Sequence, residues 1–165
     1  MTARALSLTL LLALVPGRAT PEPTLPPGGL RARVVAVVDG DTLDAVLVDG
    51  DRVRVRLSGI DAPEGRQPYG AEATEAARAL VEGLDVVLLP AGRKSWGRMV
   101  AEVLLPSGES LNLALVRLGA AWWWPQYAPD REDLQAAEAE ARNARRGLWA
   151  ADNPQRPNQY RKGTE

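Results

Sequence analysis

The stretch RARVVAVVDGDTLDAVLVDGDRVRVRL, residues 31–57, decides the fold class. It contains three runs rich in β-branched and apolar residues, at 31–38, 42–48 and 52–57, and an Asp-Gly pair follows each of the first two. Asp-Gly between two such runs is a strong signal for a β-hairpin. In the third run, valine and leucine alternate with arginine, so one face of that strand is apolar and the other is basic. The stretch therefore predicts a three-stranded meander.

The chain beyond this meander alternates between helical and strand patterns. The predicted elements are a helix over residues 73–81, strands over 85–89 and 99–105, a helix over 111–118 capped by Ser110, and a longer helix over 130–147. Five strands with a helix after the third fit a closed Greek-key β-barrel of the oligonucleotide-binding (OB) type. We therefore expect an α+β fold, in which three α-helices pack against a five-stranded barrel.

The two ends of the chain differ in composition from its middle. Residues 1–19 place Arg4 before a short apolar run and then small residues, an order typical of a secretory signal peptide. The run is too short to span a bilayer, so we expect no stable membrane insertion and a secreted or periplasmic protein. A retained N-terminal anchor is the alternative. Residues 20–29 predict a disordered leader, 30–150 the folded domain, and 151–165 a C-terminal tail.

The chain contains no histidine and no cysteine. This excludes Ser-His-Asp and Cys-His catalysis and zinc sites with the usual ligands. The chain carries 20 basic and 21 acidic residues, and removal of residues 1–19 would take away two arginines and no acid. Overall basicity therefore cannot drive the binding of a polyanion. Hydrolysis would have to rely on carboxylates, arginines and a hard metal ion held by oxygen atoms.

Three short motifs carry the residue types that such chemistry needs. DGDT, residues 39–42, follows the first strand, although taken alone it is also a common tight turn. RLSGIDAPE, residues 56–64, ends the third strand and places Asp61 and Glu64 around a proline that restricts the backbone. WGR, residues 96–98, stands at the head of the fifth strand. Together these motifs predict a site of carboxylates and arginines.

The ordered set of motifs resembles the staphylococcal nuclease-like (thermonuclease) family. The stretch NLALVRLGAA from Asn112 and the AEAEAR…GLW helix extend the resemblance over roughly residues 34–149. The resemblance implies an OB-type barrel with three helices and a calcium-dependent endonuclease. Such an enzyme acts on DNA and RNA and leaves 3′-phosphate products.

The same resemblance assigns residues to a calcium (Ca²⁺) site. Asp41 and Asp61 match direct ligands, the backbone carbonyl of Ala62 matches a third, and Asp39 matches a carboxylate just outside the ligands. Calcium accepts six to eight oxygens, so this set would leave positions for water and a phosphate oxygen.

Catalytic roles also follow from the resemblance. Glu64 matches the proposed general base, although the sequence leaves open whether it takes the proton or only orients the water. Arg56 and Arg98 match two arginines that hold the scissile phosphate, which a planar guanidinium can grip through two oxygens.

Aromatic residues follow the second helix. Tyr127 is the best candidate for contact with the substrate and Trp124 the second, because bases stack on aromatic rings with little sequence preference. Trp123 is instead expected to pack under the helices. We expect the protein to be a monomer and its partners to be DNA and RNA. The alternatives are a catalytically silent OB-type module that binds nucleic acid or protein, and a periplasmic module that binds carbohydrate or peptide.

Overall fold

The computed structural model describes residues 25–163, apart from the side chains of residues 93 and 94. The predicted signal peptide and the first residues of the predicted leader lie outside this range. The strands are β1 (Leu30–Asp39), β2 (Thr42–Leu47), β3 (Arg52–Leu57), β4 (Ile60–Asp61), β5 (Asp85–Ser95), β6 (Arg98–Leu104) and β7 (Trp122–Trp123). The helices are α1 (Gly70–Val81), α2 (Leu111–Arg117), α3 (Glu132–Asn143) and α4 (Pro157–Gly163), with a 3-10 turn over Gly147–Ala150.

Five strands close into a barrel in the order β1-β2-β3-β6-β5, as the sequence predicts. All neighbours are antiparallel except β3 and β6, which run parallel. The alternation in the sequence explains the interior, since every second residue of a strand points inward. Each barrel strand supplies a fully or almost fully buried side chain: Val34, Leu43, Val55, Leu88 and Val103.

The helices pack on the barrel and on each other, with α1 on β1 and α2 against β6, α1 and α3. Ser110 caps α2 as predicted, because its side chain accepts a hydrogen bond from the backbone of Leu113 at 3.1 Å. Asn112 is completely buried in α2 and donates to the carbonyl of Ser58 at 2.8 Å. This bond ties α2 to the turn after β3. No helix within residues 25–163 has the length and apolarity needed to cross a membrane.

The structure corrects the sequence analysis at several elements. Helix α3 spans Glu132–Asn143 instead of residues 130–147, and β4 and β7 form a two-stranded sheet that was not predicted. Residues 25–163 contain four α-helices instead of the three predicted, because residues 157–163 form α4 within the segment expected to be a tail. Strand β5 continues to Ser95 instead of ending at residue 89. Its extension has no apolar face to reveal it, since residues 90–92 are exposed and the pairing with β6 shifts register between Pro90 and Lys94.

Candidate active site

A cavity of about 590 Å³ opens where β3, β4 and the β5–β6 hairpin meet. All nine residues predicted for the site line it: Asp39, Asp41, Arg56, Asp61, Ala62, Glu64, Arg98, Trp124 and Tyr127. The lining comes from five separate stretches of the chain, so residues that are far apart in the sequence lie together in the fold.

The turn between β1 and β2 packs directly against the end of β4. Gly40 makes this approach possible, because a Cβ atom there would lie 2.7 Å from the Cβ of Ala62. The carboxylate of Asp41 then accepts a hydrogen bond from the backbone of Ala62 at 2.7 Å. Asp39 accepts one from the backbone of Asp41 at 3.0 Å, which shapes the turn. Asp41 and Asp61 are thereby brought to the same wall of the cavity.

Arg56 lies between these two carboxylates. One guanidinium nitrogen is 3.0 Å from an oxygen of Asp41 and 3.0 Å from an oxygen of Asp61. The other terminal nitrogen donates to the carbonyls of Leu57 at 2.7 Å and Ile60 at 2.9 Å. All three charged side chains are almost fully buried. Arg56 is therefore both the electrostatic partner of the carboxylates and a brace for the turn from β3 to β4.

Glu64 stands at the start of the connection to α1, where its side chain is 40% exposed. Its backbone is held by Gln67, which donates to the Glu64 carbonyl at 2.8 Å and accepts from the Glu64 amide at 3.1 Å. Gly70 closes the loop, since a Cβ atom there would lie 2.0 Å from the Glu64 carbonyl oxygen. The carboxylate forms an ion pair with Arg161 of α4. The loop thus presents Glu64 at the mouth of the cavity.

Arg98 begins β6 beside the tip of the β5–β6 hairpin. Its guanidinium contacts only its own hairpin among the hydrogen bonds described, at the Ser95 carbonyl (3.2 Å) and hydroxyl (3.4 Å). Trp96 forms the tip with a positive φ of 53° and is 95% exposed. Parallel pairing places Val100, two residues after Arg98, opposite Arg56. Arg56 on β3 and Arg98 on β6 therefore lie on adjacent strands at one wall of the cavity.

The aromatic residues divide between the core and the cavity. Trp122 is buried and packs edge-to-face on Trp149 with ring centroids 5.9 Å apart. Trp123 is half-buried, and its indole N–H donates to the carbonyl of Ala128 at 2.9 Å. Trp124 and Tyr127 form an edge-to-face pair 4.5 Å apart at the cavity. The pattern after the second helix is thus two packed tryptophans followed by two aromatics available to a ligand.

Comparisons with known proteins agree with this geometry. A family model described as staphylococcal nuclease homologue matches residues 54–151. An uncharacterized endonuclease of Escherichia coli O157:H7 is 41% identical over 128 residues, which cover 78% of this chain and 82% of that protein. An uncharacterized endonuclease of Haemophilus influenzae is 38% identical, covering 79% and 72% respectively. A protein of Shigella flexneri named micrococcal nuclease is 34% identical, covering 82% of each chain.

The chain belongs to the staphylococcal nuclease family. Membership makes it a nuclease, a hydrolase of phosphodiester bonds, and places a nucleic acid among its substrates. Further residues line the cavity of this nuclease, and two of them, Trp96 and Arg161, have large side chains that the sequence analysis did not assign to a ligand. A signal for Arg161 exists in the sequence, because Pro157 favours a helix start and basic residues favour the last turn of a helix.

Burial dominates the electrostatics of the carboxylates. It raises the pKa of Asp41 to about 7 and that of Asp61 to about 6, and the charge of Arg56 opposes both shifts. Asp39 and Asp61 add repulsion at Asp41. One arginine thus does not compensate the local negative charge, and a hard cation bound to these oxygens would do so. The donor set fits calcium in this sense, although no three acidic side chains within residues 25–163 are grouped closely enough to share an ion.

These pKa shifts predict how the stability of the metal-free nuclease depends on pH. Asp41 and Asp61 hold protons in the folded state at pH values where they have lost them in the unfolded chain. Their contribution to stability is therefore complete below about pH 4 and is lost as the pH rises through about 6 and 7. We expect these two groups to lower the free energy of unfolding by about 4 kcal/mol between pH 5 and pH 8. Urea denaturation at each pH, in the presence of a chelator, measures this free energy.

The matched variants for this test are Asp41→Asn and Asp49→Asn. Asp49 lies in an exposed turn, so its replacement should leave the pH dependence unchanged. Asp41→Asn should remove most of the fall. Equal pH dependence in the wild type and Asp41→Asn would contradict the assignment.

Proposed function

We propose that this nuclease is a secreted or periplasmic, calcium-dependent endonuclease that acts as a monomer on DNA and RNA. The observation that carries the proposal is the convergence of Asp41 and Asp61 on Arg56, in a cavity that also contains Glu64 and Arg98. The names of the bacterial relatives support endonuclease activity. The signal-peptide pattern of residues 1–19 supports export.

Calcium is proposed to bind the carboxylates of Asp41 and Asp61 and the backbone carbonyl of Ala62. When bound, it would supply positive charge that balances the two buried carboxylates and stabilises the phosphate. Asp39 acts on the ion only indirectly, since its carboxylate holds the backbone amide of Asp41.

The chain's own residues would carry the hydrolysis. Glu64 accepts a proton from the attacking water, whose oxygen forms a bond to phosphorus. The bond between phosphorus and the 5′-oxygen breaks, that oxygen takes up a proton from solvent, and the phosphate stays on the 3′ side. Arg56 and Arg98 hold the phosphate oxygens and stabilise the charge that builds on them in the transition state.

The aromatic pair would bind the bases next to the scissile phosphate. Tyr127 is 47% exposed and Trp124 packs edge-on against it, so one ring is held while a face remains for stacking. Stacking is tolerant of base identity, which suits an enzyme that acts on both DNA and RNA.

A cleavage assay on circular single-stranded DNA tests this proposal, because a circle has no ends for an exonuclease. The purified protein is incubated with calcium, with magnesium or with a chelator, and in parallel with an RNA oligonucleotide. We expect calcium to support cleavage of both substrates and the chelator to abolish it. New ends should carry a 5′-hydroxyl, which a polynucleotide kinase labels without prior dephosphorylation.

The variant Asp61→Asn should lose the response to calcium, while Asp85→Asn, at an exposed barrel position, should keep it. Cleavage in the chelator at the wild-type rate would contradict calcium dependence. Binding of the DNA without cleavage under any metal would establish the silent module instead. The mass of the protein recovered from the periplasm or the medium tests export, since removal of residues 1–19 would make Thr20 the first residue.

A further inference from the structure

The chain after the family match docks back onto the active-site side of the barrel. Arg156 donates to the carbonyl of Trp123 at 3.2 Å, and Pro157 at the start of α4 is buried. The hydroxyl of Tyr160 donates to the carbonyl of Arg66 at 3.1 Å. The side chain of Gln67 donates to the carbonyl of residue 155. The loop that carries Glu64 is therefore held against α4 by contacts on both sides.

This docking brings Arg161 to the cavity. Arg161 lines the same space as Arg56 and Arg98, and its guanidinium pairs with the carboxylate of Glu64. Its charge also opposes the effect of burial on the pKa of Asp61, so it acts within the carboxylate site. The side chain is 49% exposed, which leaves part of the guanidinium open to a ligand.

We propose that Arg161 is a third phosphate-binding arginine of the active site, paired with Glu64 until a substrate phosphate replaces that carboxylate. The inference rests on the proposed function of Glu64 and of the cavity. An ion pair this exposed contributes little to stability, so its exchange for a phosphate is easily made. A guanidinium grips a phosphate through two parallel hydrogen bonds, as it does a carboxylate.

The exchange has a consequence for Glu64. A carboxylate that accepts from a guanidinium has fewer oxygen lone pairs for the attacking water. When a phosphate takes Arg161, Glu64 becomes available to that water. The arrival of substrate would thus release the general base at the moment it is needed.

The position of α4 does not depend on this ion pair, because Arg156, Pro157 and Tyr160 anchor it independently. Replacement of Arg161 should therefore leave the helix docked. This allows a role in binding to be separated from a role in folding.

The experiment compares the full-length wild type with Arg161→Gln, Arg161→Lys and the control Lys162→Gln. Lys162 is the next residue, exposed and outside the cavity lining. Two readouts are used: KM and kcat for single-stranded DNA in calcium, and binding of a fluorescent single-stranded oligonucleotide in a chelator at several salt concentrations. We expect Arg161→Gln to raise KM about tenfold, as loss of a charged hydrogen-bond pair does.

The salt dependence identifies the contact as one to phosphate. Each phosphate contact to a single strand contributes about 0.7 to the slope of log affinity against log salt. We expect Arg161→Gln to reduce the slope by about that amount and Arg161→Lys to retain it, with an intermediate KM. Lys162→Gln should match the wild type in both readouts.

The proposal is overturned if Arg161→Gln behaves like Lys162→Gln, or if Arg161→Lys loses as much of the slope as Arg161→Gln does. In those cases calcium-dependent cleavage by the wild type, lost in Glu64→Gln, would still support the proposed function. A wild type that neither binds nor cleaves the DNA would overturn both.

Discussion

Replacement of Arg56 by alanine is expected to abolish cleavage and to lower the free energy of unfolding by about 3–5 kcal/mol at pH 8 without metal. The loss is large because the variant leaves Asp41 and Asp61 buried with no cation 3.0 Å away. It also removes the two hydrogen bonds that brace the turn from β3 to β4. Urea denaturation measures the stability, and the circular DNA assay measures the activity.

Arg54→Ala is the matched control for this variant. Arg54 lies on the same strand and pairs with Asp44 at 2.7 Å, but its side chain is 52% exposed, so its loss should destabilise the protein far less than the loss of Arg56. The pH supplies a second check. At pH 5 the carboxylates of Asp41 and Asp61 hold protons, so the penalty for removing Arg56 should shrink. Equal destabilisation by the two substitutions, or a penalty that does not change with pH, would refute this account.

Glu64→Gln is expected to lower kcat by about 10²–10⁴ while leaving the Tm unchanged. The amide keeps the size of the side chain but cannot accept the proton of the attacking water. The structural cost is small, because Gln67 and Gly70 hold the loop through the backbone of residue 64. Steady-state kinetics in calcium and thermal unfolding measure the two quantities.

Glu75→Gln on the exposed face of α1 is the control, and Glu64→Asp is the informative partner. The aspartate retains a carboxylate on a shorter stem, so part of the activity should return if Glu64 acts on the water. A kcat of Glu64→Gln within a factor of three of the wild type would exclude Glu64 as the general base. Loss of stability equal to the loss of activity would assign it a structural role instead.

The barrel could be predicted because its signals are local. The Asp-Gly pairs and the alternation in residues 31–57 specify hairpins, and β3 has the bounds that the sequence predicts. The carboxylate and arginine residues could be predicted because several motifs occur in order, each weak alone. Their common location at one cavity then follows from the closure of the barrel.

The parts that the sequence did not predict depend on tertiary contacts. Helix α4 has seven residues and one buried position, Pro157, so it lacks an apolar stripe that a pattern could detect. Residues 90–92 in the extension of β5 are exposed, and the extension is stabilised by pairing with β6. The ion pair between Glu64 and Arg161 joins residues 97 positions apart, a separation over which no sequence pattern operates.

The parallel pairing of β3 with β6 has a further consequence. Because residue 100 pairs with residue 56, Arg98 begins two residues away from Arg56 along the strand direction, or about 6.6 Å. This distance is set by the backbone of the paired strands and does not depend on how neighbouring loops are packed. A change in the length of the 64–70 loop would therefore leave the spacing of Arg56 and Arg98 along the strands unchanged.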